Sequence, residues 1–444
     1  TLQQSAGVEE VLRTIPGAVT SVGANVNNGN GGSTLINLRG IGSNRNISLL
    51  NGTRVTPSTT TLEVNLDIIP VALLERVDVL TGGAGSTYGA DAISGVINFV
   101  TKQDYEGAPL NVLNNITEEG DGNIFRADLT LGANLADNRG NVVMNLGYTK
   151  RDGLRQGQRD FSVFNINSRT GAAGGSSTTT PIRLSAAGGA SGLLNNIEID
   201  DETGNEVNGG FVQLNPASGE GEPGFSPFNF NPFNFFQSPL EQYRIYTQGY
   251  YEVSPSLDIF CEAMYVISTV ETNGAPSGTF GVTADIPLSN PFLSDALFDQ
   301  ICGRDTMLFV APGADDPTTP DIDETVMQVS APGQVEAFLN PTECAAARAA
   351  TSEDDPDFTT VPLTLGRRFV EFGERLSVRE TNIFQIKGGA RGDITDAIQY
   401  EAFFSYGEST RTRRQSGNGL RSRLVQSLSA TSTTECLNPT GGCF

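Results

Sequence analysis

Three sets of residues in this 444-residue sequence have types that could do chemistry. Gly83-Ala84-Gly85 follows an extended run, where bare backbone could approach a pyrophosphate. Tyr88 stands where a dinucleotide fingerprint needs its third glycine and no helix of ordinary length follows, so a tight loop packed on its own sheet is expected instead. Carboxylates crowd the stretch from Glu271 to Glu374, among them Asp315, Asp316, Asp321, Asp323, Glu324, Glu353, Asp354, Asp355 and Asp357. They could hold calcium or attract a cationic substrate, yet no spacing matches a calcium loop, which favours a solvated surface loop. Carboxylate pairs could serve a glycosidase, but no motif places one. Five Cys complete the inventory. With no His anywhere, a Ser-His-Asp or Cys-His nucleophile, a zinc site with a His ligand and a His-ligated haem are excluded in these residues. No catalytic residue, metal site or cofactor is therefore expected.

Charge narrows the partners. Lys plus Arg number 28 against 51 Asp plus Glu, a net charge of −23, which argues against a nucleic-acid partner because phosphate backbones are bound through Lys and Arg. No run of about 18 apolar residues occurs, so no transmembrane helix is expected. Spanning strands need only about ten residues of alternating character and stay open. The sequence starts at Thr1 with no signal-peptide pattern, as a mature chain or a piece of a longer one would.

The elements that would position these residues change character near residue 102. Before it, Ser5 can cap a helix with Val8, Val11, Leu12 and Ile15 on one face, ended by Pro16-Gly17. A Gly/Asn loop, Asn25 to Gly32, leads to extended runs at Thr34 to Leu38 and Ile47 to Val55. Asp67 can cap a short helix over Ile68 to Leu74, passing into a strand from Arg76 to Leu80, and a last strand runs from Gly95 to Thr101. This is a small α+β domain.

Four blocks in order carry a resemblance: Leu38-Arg39-Gly40, Leu50-Asn51-Gly52-Thr53-Arg54-Val55, Leu74-Glu75-Arg76-Val77-Asp78-Val79-Leu80, and Tyr88-Gly89-Ala90-Asp91-Ala92-Ile93-Ser94-Gly95-Val96-Ile97-Asn98-Phe99-Val100. The first 102 residues resemble the plug domain of TonB-dependent outer-membrane receptors.

Beyond Lys102 the period becomes two. Phe125, Ala127, Leu129, Leu131 and Ala133 alternate with Arg126, Asp128, Thr130 and Asn134, and the pattern returns around Tyr148, Tyr243, Tyr265, Phe384 and Tyr406. Counting a first strand near Leu110 to Thr117, about seven strands are expected. Short turns at Ala136 to Gly140, Val253 to Leu257 and Asp393 to Ala397 alternate with long connections at 152–239, 271–374 and 413–444. That asymmetry is the habit of transmembrane barrels. The fold class expected is mainly β, a plug domain at 1–102 followed over 103–444 by antiparallel transmembrane β-barrel strands. A plug of about 100 residues is roughly 34 Å across, and about 22 strands are needed to enclose it. The chain is therefore expected to be a fragment of a longer protein, with part of the barrel missing.

The resemblance implies active import of a scarce nutrient across the bacterial outer membrane, with a TonB-type protein pulling on a segment absent from this chain and outer-membrane lipid around the barrel. The alternative is a non-transporting protein of the same architecture, in surface signalling or a structural or adhesive assembly. By motif position, Asn27, Asn28, Asn44, Arg45, Asn46 and Thr59 are the candidates for meeting substrate, since amides and guanidinium suit hydroxyl or carboxylate groups. Loops merely solubilised by polar residues would look the same. Arg39, Glu75 and Arg76 match positions of charge contacts within the plug and with the wall. Substrate could be siderophore, carbohydrate or peptide, with carbohydrate favoured by the Asn, Tyr and Asp of the outer loops. The oxidising surroundings of an outer membrane permit disulfides. Cys302 with Cys344 and Cys436 with Cys443 share connections and are the expected pairs, leaving Cys261 on the lipid face, although spacing alone does not fix connectivity. Six phenylalanines between Gly221 and Pro239 (Phe225, Phe228, Phe230, Phe233, Phe235 and Phe236) are expected to pack on the barrel rim, or against a partner or substrate.

Overall fold

A computed structural model describes residues 8, 12, 15, 17–20, 33–82, 84–135, 138–186, 211–302, 341–395 and 397–443. The chain forms two compact units, one of residues 1–164, 231–275 and 375–416, the other of 165–230, 276–374 and 417–444.

The first unit begins with the small domain. Val8 and Leu12, one helical turn apart, are both buried. Strands β1 (Ala18–Thr20) and β2 (Ile36–Leu38) pair antiparallel. β3 (Asn46–Leu50), β4 (Thr53–Arg54), β5 (Leu74–Thr81) and β6 (Gly95–Thr101) form a sheet in the order β4-β3-β6-β5. The run expected from Ile47 to Val55 is broken, because Asn51 and Gly52 both take positive φ, 48° and 77°, and close a two-residue hairpin. The helix expected over Ile68 to Leu74 is likewise corrected to two 3-10 turns, Leu66–Ile68 and Val71–Leu73. Pro70 disfavours helical geometry at the residue before it. The cap is Asn65, whose side chain accepts the Asp67 N–H, while the Asp67 carboxylate accepts the Thr34 N–H at 3.2 Å.

Seven long strands make the wall: β7 (Leu110–Asn115), β8 (Ile124–Leu135), β9 (Gly140–Arg151), β15 (Leu240–Ser254), β16 (Leu257–Gly274), β19 (Arg375–Thr395) and β20 (Ile398–Ser416). All pair antiparallel in the order β20-β19-β16-β15-β9-β8-β7. The long connections begin at 275 and 417 rather than 271 and 413, since β16 and β20 run to Gly274 and Ser416. The wall strands other than β7 have 12 to 21 residues, more than the roughly ten that cross a bilayer.

Burial in this sheet is inverted. Arg126, Asp128, Thr130, Asn145, Gln242, Arg244, Gln248 and Lys387 are buried, whereas Leu131, Val142, Ile245, Ile259, Ile267, Phe384, Ile386 and Phe404 are exposed. Alternation sends the two sets to opposite faces. Water would penalise both, leaving contiguous apolar surface wet and charges dry. A hydrocarbon solvent removes the first penalty, and ion pairs remove much of the second. The rings of Tyr148 and Tyr243 pack against each other, tilted, with centroids 5.1 Å apart near the end of the wall from which the long connections leave, where a lipid–water girdle belongs. Beyond that end, Asp121 in the β7–β8 turn is bonded to Arg159 and Thr117. The guanidinium holds its carboxyl down to about 2, so it is anionic at any ordinary pH.

The connections themselves fold. Within the first unit, β10 (Leu154–Arg155) pairs with β14 (Phe235–Gln237). The second unit is a sheet of β11 (Arg183–Ala186), β12 (Phe211–Leu214), β13 (Gly221–Pro223), β17 (Val282–Pro287) and β18 (Thr360–Gly366), ordered β13-β12-β11-β18-β17. Leu184, Val212, Ile286, Leu363 and Leu365 from the strands pack with Leu297, Phe298 and Ala347 from helices Asp295–Ile301 and Pro341–Ala349. Cys302 is bonded to Cys344 and joins those helices, and Cys436 is bonded to Cys443. Cys261 is the free thiol, exposed on β16. None of the six phenylalanines is exposed, and they divide between the two units. Phe225 and Phe211 flank Arg183, Phe228 and Phe280 flank Arg368, and Phe236 meets Phe161 edge-on at 5.7 Å.

Ile386 sits mid-strand on the apolar face. Ile386→Arg is expected to destabilise the protein folded into lipid vesicles by about 2–4 kcal/mol, the cost of a cation at the bilayer midplane. A loss within about 0.5 kcal/mol, the usual result at a water-exposed position, would mean that this face does not meet lipid.

Candidate functional site

Within the first unit the small domain lies against the buried face of the wall, and its core is completed by that wall. Leu38, Leu50, Val55, Leu66, Ile68, Ile97 and Phe99 share one hydrophobic cluster with Val143, Tyr246, Met264, Val266 and Ile383. Alternation alone would have made those wall positions polar. They are apolar where the domain covers them.

Around this cluster the contacts are polar. The Asn51 amide lies within hydrogen-bonding distance of Tyr246 Oη at 3.1 Å, Gln248 Oε1 at 3.4 Å and Glu262 Oε2 at 3.3 Å. Gln248 donates to the Lys102 carbonyl at 2.6 Å. Gln385 accepts the Thr56 N–H and donates to the Arg54 carbonyl, both at 2.9 Å. The buried Arg244 donates to Asp128 at 2.6 Å and reaches the Ile69 carbonyl at 3.4 Å, and Arg126 closes the triad on Asp128 at 2.5 Å. Such a triad is costly to break, because losing one partner strands a buried charge. Gly407 gives the domain room: a Cβ there would lie 2.1 Å from Thr56 Oγ1.

At the end of the wall from which the long connections leave, two loops of the small domain meet on Glu63. Its carboxylate accepts from Ser43 Oγ and from Thr61 Oγ1 at 2.8 Å, and its N–H is taken by Thr59 Oγ1 at 3.1 Å. Glu63 also attracts Arg411 on the wall. Arg411 lies beside Arg413 and Arg379, close enough for mutual repulsion, and the β19–β20 register puts Arg379 opposite Arg413. Arg379 is tethered to Thr272 Oγ1 at 2.8 Å and Arg413 to Ser377 Oγ at 3.0 Å. Together these residues gather one carboxylate of the small domain and three guanidinium groups of the wall at one end, an arrangement referred to below as the cup. It can bind a solute offering hydroxyl or anionic acceptors.

The sequence candidates distribute unevenly over this arrangement. Asn44 and Arg45 are exposed on the 3-10 turn Ser43–Arg45, beside the Glu63 contact. Asn46 is half-buried and its side chain accepts the Leu38 N–H at 3.4 Å, which makes it part of the scaffold. Thr59 is in the Glu63 cluster. Asn27 and Asn28 lie outside the described residues. Arg39 packs its guanidinium over Gly82, and Arg76 pairs with Glu75 at 3.5 Å and Asp78 at 3.1 Å. Among the described residues, hydrogen bonds from domain to wall are made by Asn51, Arg54, Thr56, Ile69, Thr101 and Lys102 instead. Glu63, Arg379, Arg411 and Arg413 were not singled out by sequence. The parity of the three arginines with Lys387 and Glu401 was readable, but only the register brings them side by side.

Residues 1–96 match the family described as the TonB-dependent Receptor Plug Domain. Among solved structures, the chain is similar to a variant of the ferric enterobactin receptor PfeA from Pseudomonas aeruginosa in complex with enterobactin, at 14% identity and TM-score 0.42, covering 91% of this chain and 39% of that one. For the siderophore receptor PirA from Pseudomonas aeruginosa the figures are 12%, 0.35, 92% and 49%, and for the copper transporter OprC 11%, 0.37, 92% and 44%. The chain thus spans less than half the length of each. The plug match and the inverted sheet agree on location: the bacterial outer membrane.

Gln248 is the wall residue whose loss most cleanly tests how the domain is held. Gln248→Leu keeps the volume and leaves the Lys102 carbonyl unanswered, which is expected to weaken retention by about 1–3 kcal/mol. In urea the small domain should become protease-sensitive at a lower concentration while the wall stays folded. An unchanged midpoint would contradict the contact.

Proposed function

With residues 1–96 a TonB-dependent receptor plug domain, we propose that this chain is the plug and the first seven strands of an importer that takes a scarce small molecule across the outer membrane. A solute is captured in the cup by Asn44, Arg45, Thr59 and Glu63 from the plug and by Arg379, Arg411 and Arg413 from the wall. A TonB-type protein, energised from the inner membrane, then draws on the plug from the periplasmic side. Work is needed because the plug fills the space along the wall: Val143, Tyr246, Met264, Val266 and Ile383 share its core.

The observation that carries the reading is the character of the plug–wall bonds. A permanent seal would be served by apolar packing alone. Here Asn51, Thr56, Thr101 and Lys102 are held largely through hydrogen bonds to the side-chain amides of Gln248 and Gln385. Each is worth about 1 kcal/mol net and is replaceable by water once the plug shifts. A contact surface built this way can be opened stepwise and closed again.

The test is uptake. A strain lacking the gene should lose accumulation of at least one nutrient from a panel, and the loss should be matched in an otherwise intact strain lacking TonB. In the complementing copy, Glu63→Ala should raise the half-saturation concentration about tenfold, the equivalent of about 1.4 kcal/mol, with the amount of receptor in the membrane unchanged. Accumulation indifferent to the deletion for every nutrient would remove the transport reading and favour a surface role without transport.

A further inference from the structure

The lumen-facing residues of β19 and β20 form a largely polar stripe from the cup to the far end of the wall, broken by Ile383, which the plug core covers, and by Phe403. The register places Arg379 opposite Arg413, Thr381 opposite Arg411, Gln385 opposite Gly407, Lys387 opposite Ser405 and Arg391 opposite Glu401. Five cations thus lie on one strip of two strands, in a chain whose net charge is −23. At about 3.3 Å per residue, Arg379 to Lys387 is roughly 26 Å and Lys387 to Arg391 roughly 13 Å.

Two further features interrupt the stripe. Midway, Thr56 of the plug is seated in the notch left by Gly407 and bonded to Gln385 through both its N–H and its hydroxyl, at 2.9 and 3.0 Å. Below that point a cavity of about 100 Å³ opens between plug and wall, lined by Asn51, Gln248, Glu262, Lys387, Arg391 and Glu401 among others. Lys387 spans both surroundings: its ammonium is 3.9 Å from Glu262 and lies over the rings of Phe260 and Phe403. The other side of the wall is different. On β8, β9 and β15 the charged side chains Arg126, Asp128 and Arg244 are all buried, with both guanidinium groups sharing the one carboxylate, so a solute passing there would have to break those pairs.

We propose that solute passes between the plug and the β19–β20 wall along this stripe, that Thr56 in the Gly407 notch is the closed gate, and that the solute carries an anionic group such as a carboxylate, sulfonate or phosphate. The inference rests on the transport reading. The guanidinium groups at the cup concentrate an anion, withdrawal of Thr56 opens the notch, and Lys387 then Arg391 receive the charge on its way to the periplasm. Glu262 and Glu401 keep the lower cations from binding it too tightly to leave.

The test uses the full-length receptor in cells, with Cys261→Ser removing the free thiol and Ser405→Cys placing one below the notch. The probes are the anionic sulfonatoethyl and the cationic trimethylammonioethyl methanethiosulfonates, added outside. Expected is faster labelling of Ser405→Cys when TonB is functional, with the anionic reagent at least tenfold ahead of the cationic one, and a loss of that preference in Arg411→Gln and in Lys387→Gln. Asn145→Cys, on the β9 side, should stay unlabelled in both strains. TonB-dependent labelling at Asn145→Cys but not at Ser405→Cys, or equal rates for the two reagents at Ser405→Cys, would overturn the route or the charge selectivity while leaving transport standing. Labelling that never depends on TonB at either position would instead remove the transport reading on which the route rests.

Discussion

A sheet that is apolar on one face and charged on the other must find two different environments, and the rest of the molecule follows from how it does so. The apolar face of the seven-stranded wall, with Ile245, Ile267, Phe384 and Ile386, has hydrocarbon as its one favourable solvent. The other face carries Arg126, Asp128, Arg244 and Lys387, which no hydrocarbon would accept unpaired. The plug resolves that second demand. It satisfies part of the charged face by hydrogen bonding, as Ile69 does for Arg244, and leaves the remainder to ion pairs within the wall.

This division explains why the plug interface is neither wholly dry nor wholly polar. A central apolar cluster contributes the free energy of association and fixes position. The surrounding amides of Asn51, Gln248 and Gln385 fix orientation with bonds that water can replace. Glycine at position 407 lets Thr56 approach the strand backbone, where Gln385 holds it. The arginines of the cup lie on β19 and β20, and the cavity below is lined by those strands together with β15, β16 and the plug. Capture and gate are therefore positions along one register, and the exit is shared with the neighbouring strands.

Much of this was legible in the sequence because strand alternation survives without knowledge of the partner. The faces of β8, β15 and β19 and the short turns between strands follow from a period of two and from turn residues. Four motif blocks pointed to the plug. What escaped was whatever depends on a long-range neighbour. Val143, Met264, Val266 and Ile383 break the polar parity because the plug, not water, covers them. Asn51-Gly52 carried a hairpin signal inside a run that looked continuous, since β4 is only two residues long. The two longest connections hold a sheet with its own core and disulfide, whose strands of three to seven residues come from segments far apart in the chain. Glu63 looks like any loop carboxylate until Ser43, Thr59 and Thr61 converge on it.

The central claim is that neighbouring residues of one strand face opposite solvents, and Ile245 and Tyr246 on β15 are the place to measure it. Ile245 is exposed and Tyr246 is 1% exposed beneath the plug. These 444 residues contain no Trp, so Ile245→Trp and Tyr246→Trp, each in a background free of other Trp, report their own surroundings. In vesicles of lipids with brominated acyl chains, fluorescence from position 245 should be strongly quenched and fluorescence from position 246 left nearly unchanged. Equal quenching at both positions, or quenching at 246 alone, would contradict a wall with lipid on one side and a folded plug on the other.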